Sequence, residues 1–284
     1  MEDKKYSNKE LDNYQDLLNR EKDWKNKLIL SYKHQFSFQE ELAELAFNFI
    51  KNNKEKLIKP DSVFKEVANY FLAKGLKTFR SIKLLTENGF GEDAAVLIRC
   101  QFELLTNFLY ISKEDQDNRA KNYIYYSHIL SRKYLNKISL SNLFYEVYDR
   151  LSDERKEEIN KNYEEHEKLY PNKRWWSGKS CEEMAKDIGL KDYYISIYCP
   201  FSNLVHSNIE SSRYYVIENN NITRFIIAIT DHLITQVIFS NCDFLLRIIN
   251  QLNEVFQLGQ DDCLQEALNR FCEAFPKELS KEHV

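Results

Sequence analysis

Ala94-Ala95-Val96-Leu97-Ile98-Arg99-Cys100-Gln101-Phe102-Glu103-Leu104-Leu105-Thr106-Asn107-Phe108-Leu109-Tyr110-Ile111 is the stretch that decides the fold. It is apolar almost all round and has the length of a membrane span. Arg99 and Glu103 sit at its centre, with Gln101, Thr106 and Asn107 beside them. Each central charge disfavours insertion by about 2.5–3.5 kcal/mol. The segment therefore reads as a buried central helix, around which other helices must close.

The flanking sequence supplies them. Residues 62–88 carry Phe64, Ala68, Phe71, Gly75, Phe79 and Ile82 in one stripe at three-to-four spacing. Gly75 implies a close helix contact, because glycine inside a helix costs about 1 kcal/mol relative to alanine. Residues 222–251 read as a long apolar helix through Phe225, Ile226, Ile229, Leu233, Val237, Phe244 and Ile248. Residues 153–169 open with Asp153-Glu154-Arg155-Lys156-Glu157-Glu158 and read as a solvated helix. Further helices are expected over 8–33, 37–57, 91–111, 113–137, 142–150, 180–188, 192–199, 201–210 and 261–274. Only Arg213–Glu218 looks strand-like, with Asn219-Asn220-Asn221 as the turn after it.

Helix-start signals take the form Ser-x-x-acid at Ser7/Glu10, Ser37/Glu40, Ser112/Asp115 and Ser180/Glu183. Asn88-Gly89 reads as a helix stop. Pro60, Pro171, Pro200 and Pro276 fall at or between helices. The first 60 residues are charge-rich, with a thinner apolar stripe at Leu42, Leu45, Phe49 and Ile50. The expected organisation is a helical arm over 1–60, a main all-α bundle over 61–275 and a tail over 276–284.

Composition agrees. Six glycines and four prolines in 284 residues fall far below the roughly 12% of ordinary usage. That is too little punctuation for a many-turned β protein. No GxGxxG is present for a dinucleotide fold. Aromatics at 14% and hydrophobics at 43% exclude a disordered chain. Lys and Arg number 40 against 44 Asp and Glu, a net charge of −4. Attraction of the whole surface to nucleic acid or anionic lipid does not follow. Cys100, Cys181, Cys199, Cys242, Cys263 and Cys272 form no CxxC and read as small buried hydrophobes in a reducing compartment. Met1–Lys5 has no apolar run behind it, so no secretory signal is expected and the expected compartment is the cytoplasm.

Three stretches carry possible chemistry. Arg99 and Glu103 lie four apart on one helix face. The planar fork of an arginine suits phosphate or carboxylate. The bland reading is an internal ion pair that ties helices together. The second stretch is Tyr198-Cys199-Pro200-Phe201-Ser202-Asn203-Leu204-Val205-His206. There Ser202 and His206 share a face and Glu210 continues the row. Histidine is suited to moving protons near neutral pH. No elbow glycines mark Ser202 as a nucleophile, and a packed histidine is the plain alternative. The third is Lys173-Arg174-Trp175-Trp176-Ser177-Gly178-Lys179-Ser180. Its aromatic and basic residues suit base stacking and phosphate contact, or simply a loop pinned over the core. It is not a P-loop, because Lys173 stands where the first glycine would be. His206 with Glu210, or Asp231-His232, gives only a weak metal pattern. His34, His128, His166 and His283 have no chemical context, and His128 reads as packing.

Gly89-Phe90-Gly91-Glu92-Asp93-Ala94-Ala95-Val96-Leu97-Ile98-Arg99-Cys100-Gln101-Phe102-Glu103 resembles the signature of an uncharacterised bacterial helical family. In that family a GxxEDAxxLxRxxFE helix is followed by a Trp-containing loop and an SxxxH segment. Here those are Trp175-Trp176-Ser177-Gly178-Lys179 and Ser202–His206, and the resemblance spans roughly 65–250. The family has no assigned activity. More distantly, the chain is similar to the HEPN group of helical nucleotide-binding domains, many of them ribonucleases of toxin and phage-defence systems. Those pair an Arg and a His four to six residues apart on one helix. Arg99 has no such neighbour and Arg119 precedes His128 by nine, so an Arg–His site here must come from two helices.

Together these readings give an expectation. Arg99, Glu103, Ser202 and His206 form a catalytic cleft, and Trp175, Trp176, Lys179 and Tyr198 contact the ligand. The activity is that of a metal-independent phosphodiesterase or ribonuclease, with no cofactor. The partners are RNA or a nucleotide, no membrane, and a second copy of the chain through helical faces. The alternative is a non-catalytic nucleotide- or anion-binding protein, or an oligomeric interaction protein.

Overall fold

The computed structural model describes residues 13–58, 61–170, 175–219 and 222–276. In chain order the helices are α1 (Tyr14–Ser31), α2 (Lys33–Asn52), α3 (Lys54–Ile58), α4 (Val63–Glu87), α5 (Gly91–Lys113), α6 (Gln116–Ser139) and α7 (Tyr145–Asp149). There follow α8 (Asp153–His166), α9 (Cys181–Asp187), α10 (Lys191–Tyr193), α11 (Cys199–Val205), α12 (Ile234–Phe256) and α13 (Asp261–Ala274). A π-helical turn, Tyr194–Tyr198, joins α10 to α11. The fold is an all-α multi-helix bundle. One small hairpin interrupts it, β1 (Val216–Asn219) against antiparallel β2 (Ile222–Phe225).

The stretch 94–111 does form the centre. α4, α5 and α12 pack mutually as the inner layer. Phe71 meets Phe108 at 5.5 Å between ring centroids, and Phe102 meets Phe244 at 5.7 Å. A Cβ on Gly75 would stand 3.1 Å from Ile248 Cδ1, the close approach its position in the stripe implied. α5 is the one described helix long and apolar enough to cross a membrane, and 67% of its apolar window is buried in the bundle. Its faces are taken by α4, α12 and the α9–α11 layer. α2 lies across α12, α13 and α4 and brings Phe36, Phe38, Leu42, Ala46 and Phe49 into the same core. α6 covers α4 and α5, and α8 lies on α6 with no buried residue.

Local signals fared unevenly. Ser180 caps α9 with a complete capping box to Glu183. Ser62 and Ser152 cap α4 and α8. Gly89 ends α4 at φ +79°, where L side chains are strained. Two expected caps are corrected. Ser37 lies inside α2 and reaches Glu41, and Ser112 lies inside α5 and donates to the Phe108 carbonyl at 2.8 Å. A capping serine needs extended backbone, and both of these are helical. Ser7/Glu10, Pro60, Pro171, Lys173, Arg174 and His283 lie outside the described residues.

The largest correction concerns 222–251. Residues 222–225 are β2, residues 226–233 are an irregular strap, and the helix begins at Ile234. Phe225 is 75% exposed. The run Ile222-Thr223-Arg224-Phe225-Ile226-Ile227 is β-branched and aromatic apart from Arg224. That composition suits the second arm of a hairpin. The thiols also differ from expectation. Only Cys242 is buried, Cys181 is half-buried, and Cys100, Cys199, Cys263 and Cys272 are exposed; all six are free.

Candidate functional site

α5 and the α10–α11 segment meet at Arg99. Its Nε donates to Ser202 Oγ at 2.9 Å, and its Nη2 donates to Tyr198 OH at 2.8 Å. The same Nη2 lies 3.1 Å from Glu103 Oε1. Tyr198 OH in turn donates to Glu103 Oε1 at 2.8 Å, and Ser202 Oγ donates to the Tyr198 carbonyl at 2.7 Å. The guanidinium carbon lies 4.7 Å from the Tyr198 ring centroid. The fork is fixed on one side. Nη1 makes no hydrogen bond to a described residue, and the side chain is 17% exposed.

Sequence explains how Tyr198 comes to face α5. Pro200 has no N–H, so the α-helical bond to the Ser196 carbonyl cannot form. The turn before it widens, and the Cys199 N–H reaches back to the Tyr194 carbonyl in π fashion. π turns inside helices recur at functional sites. Tyr194 and Tyr198 stack at 4.9 Å with their planes 19° apart. Tyr193, just before the turn, is held by a second pair: Arg247 donates to its OH at 3.1 Å and to Asp243 at 2.8 Å. Arginine–carboxylate pairs of α5 and α12 thus pin this segment from two sides.

Burial, reinforced by the hydrogen bond to Glu103, pushes the Tyr198 phenol well above its usual range. It remains a neutral donor. Burial, with Glu103 adding to it, raises the neighbouring Cys181 thiol to about 12. That thiol is not a nucleophile at neutral pH.

The side chains of the other expected residues make no hydrogen bond to this group. His206 caps α11, exposed, its backbone N–H on the Ser202 carbonyl at 3.0 Å. Its imidazole makes no hydrogen bond or ring contact with a described residue. The row Ser202–His206–Glu210 is broken, because α11 ends at Val205 and Glu210 instead accepts from Asn203 at 2.9 Å. Trp175 and Trp176 line a cavity of about 310 Å³ that none of Arg99, Glu103, Ser202 and His206 lines. Trp176 is buried and donates to Asn107 Oδ1 at 2.6 Å; Asn107 in turn donates to the Glu103 carbonyl at 2.7 Å. Lys179 is paired with Asp187 and lies 5.5 Å from the Tyr110 ring centroid. Among the described residues, no three His, Cys, Asp or Glu side chains gather as a metal cluster.

One constellation escaped the sequence. Glu92, nearly buried in the first turn of α5, accepts from Thr230 Oγ1 at 3.1 Å and lies 3.2 Å from His232 Nδ1. The hydrogen bond to Glu92 raises the imidazole above its usual range, against the effect of burial. A Cβ on Gly91 would stand 2.0 Å from the His232 carbonyl oxygen, so only glycine lets the strap pass there. Glu92 lay within the GxxEDA signature, but its partner stood in what read as a helix interior.

Residues 65–223, more than half of the chain, match a family of unknown function, DUF5677. The chain belongs to this family. The DUF5677 match contains the Gly89–Glu103 signature, the Trp loop and Ser202–His206, and it stops before α12. No curated protein and no solved structure matches the chain.

Proposed function

We propose that this DUF5677 chain acts on a phosphodiester, RNA or a nucleotide, without a metal or cofactor, with Arg99 as the phosphate-holding group. The observation that carries the reading is the half-engaged guanidinium. Ser202, Tyr198 and Glu103 fix its Nε and Nη2, and Nη1 is left over at a partly exposed position. A fork held in this way is preorganised for an anion and for charge that builds on it during reaction. Ser202 and Tyr198 position Arg99. Glu103 sets its orientation and keeps the node close to neutral until an anion arrives.

His206, one turn beyond Ser202, supplies the proton transfer in this reading. It is exposed, so substrate must bridge from Arg99 to the end of α11. That arrangement supports an extended strand over a small enclosed ligand. The setting we propose is a cytoplasmic bacterial toxin or phage-defence system, by likeness to HEPN domains. An assembly of two copies is supported by exposed apolar residues where α6 meets α7, with Leu140 86% and Leu143 80% exposed.

The test is cleavage of a labelled mixed-sequence RNA in EDTA. His206→Ala should lower the rate by about 10²–10⁴-fold with the melting temperature unchanged, since its imidazole is exposed and makes no hydrogen bond or ring contact with a described residue. Wild-type cleavage that persists in His206→Ala would remove the histidine from the reaction. Absence of any wild-type cleavage, together with saturable RNA binding lost in Arg99→Lys, would instead favour the non-catalytic binding reading.

A further inference from the structure

Two histidines that lack chemical context in the sequence come together in space. His128 of α6 and His166, the last residue of α8, stack with ring centroids 4.9 Å apart and planes 28° apart. Tyr125, one turn before His128, completes the contact, 4.1 Å from the His166 ring and 6.1 Å from the His128 ring. His166 Nδ1 donates to the Asn162 carbonyl at 2.8 Å, so a further proton on this ring goes to Nε2.

The stack matters because little else holds α8. That helix is charged along most of its length and has no buried residue. Toward α6 it offers Ile159, Tyr163 and His166, all only half-buried. An element attached through so little apolar surface opens locally at low free energy.

Charge decides whether the stack holds. Two imidazolium rings face to face repel, and neither is fully solvated while stacked. From α8, His166, Glu158 and Glu165 bear on His128. On α6 itself, Arg132 lies one turn beyond it. Glu158 is already paired with Arg155. Burial, reinforced by His166, holds the His128 imidazole below its ordinary value near 6.5, against the pull of the two carboxylates. A group depressed in this way contributes stability above its unfolded value, and that contribution is lost as pH falls through the folded one. His166 stands in the last turn of α8, where the helix dipole favours a cation. The proton that opposes docking is therefore the one on His128.

We propose that the His128–His166 stack is an acid-sensitive fastening of α8. The helix lies on α6 while His128 is neutral, and it lifts from α6 when both rings are protonated. None of these side chains belongs to the group around Arg99, so the device is independent of the chemistry proposed there.

Hydrogen–deuterium exchange of the full chain at pH 7.5 and pH 5.0, each corrected for the intrinsic exchange rate, tests it. Protection of the α8 amides should fall by roughly tenfold at pH 5.0, while α4, α5 and α12 keep theirs. His128→Phe keeps a flat ring in the stack and takes no proton; its α8 should be equally protected at both pH values. His166→Phe removes the facing charge from the other helix and should shrink the fall, which keeps the test decisive if the first variant loses its fold. Equal protection of wild-type α8 at both pH values would overturn the proposal. So would a fall of undiminished size in the folded variants, which would assign the acid sensitivity to the carboxylates instead.

Discussion

Arg99 shows how far single residues can be read. Two charges in an apolar helix had to be answered by something, because an unpaired buried charge is costly. Ser202 and Tyr198, about a hundred residues away, answer them. Sequence pointed to both partners because each stood in a short polar stretch near Pro200. It could not show that His206 lies outside the contacts, since that depends on where α11 ends. The Glu92–His232 pair was invisible because it joins a helix start to a strap whose path no local pattern records. That pair has a pH signature. Glu92 holds the imidazole above its ordinary value near 6.5. Its contribution is therefore fully present below the unfolded value and is lost as pH rises through the folded one. Chemical unfolding of wild type and His232→Gln at pH 6 and pH 8.5 should show a wider stability gap at pH 6. An equal gap at both values would mean the pair does not titrate as described.

Elements were legible where one period dominated. The stripe of α4 and the all-round apolar surface of α5 left no alternative to helices. The strap and hairpin failed because 222–251 is apolar throughout, and an apolar run does not distinguish strand from helix by period alone. The α10–α11 segment was read as two helices split at Pro200; it is continuous, with the proline absorbed by a π turn. The strap also makes an element-level prediction about the glycines. Gly91→Ala sets a methyl group 2.0 Å from a backbone oxygen, which nothing nearby can relieve without moving the strap. A loss of about 1–3 kcal/mol is expected, as for overpacking in a core. Gly75→Ala meets the flexible end of Ile248 at 3.1 Å and that of Leu104 at an ordinary 3.6 Å, and gains helix propensity of about 1 kcal/mol. It should be near neutral. Thermal melts of the two variants give the comparison, and equal losses would contradict the close passage of the strap over Gly91.

At the scale of the molecule, the inner layer of α4, α5 and α12 makes the rest a set of attachments to α5. One face of α5 carries Arg99, Glu103, Asn107 and Tyr110. Over about 16 Å of helix axis, at 1.5 Å per residue, it meets first the α10–α11 segment and then the Trp loop. The DUF5677 match ends at 223, so α12 completes the core of the family region from outside it. The central functional claim is that α5 presents an anchored, half-free guanidinium to a phosphodiester. The most direct measurement compares RNA cleavage in EDTA by wild type and by Arg99→Lys, each with its melting temperature. Lysine keeps the charge and loses the fork. The account predicts a rate lower by about 10²–10³-fold, the size of a lost transition-state donor, in a protein that still melts cooperatively. Cleavage by a folded Arg99→Lys variant at the wild-type rate would contradict it.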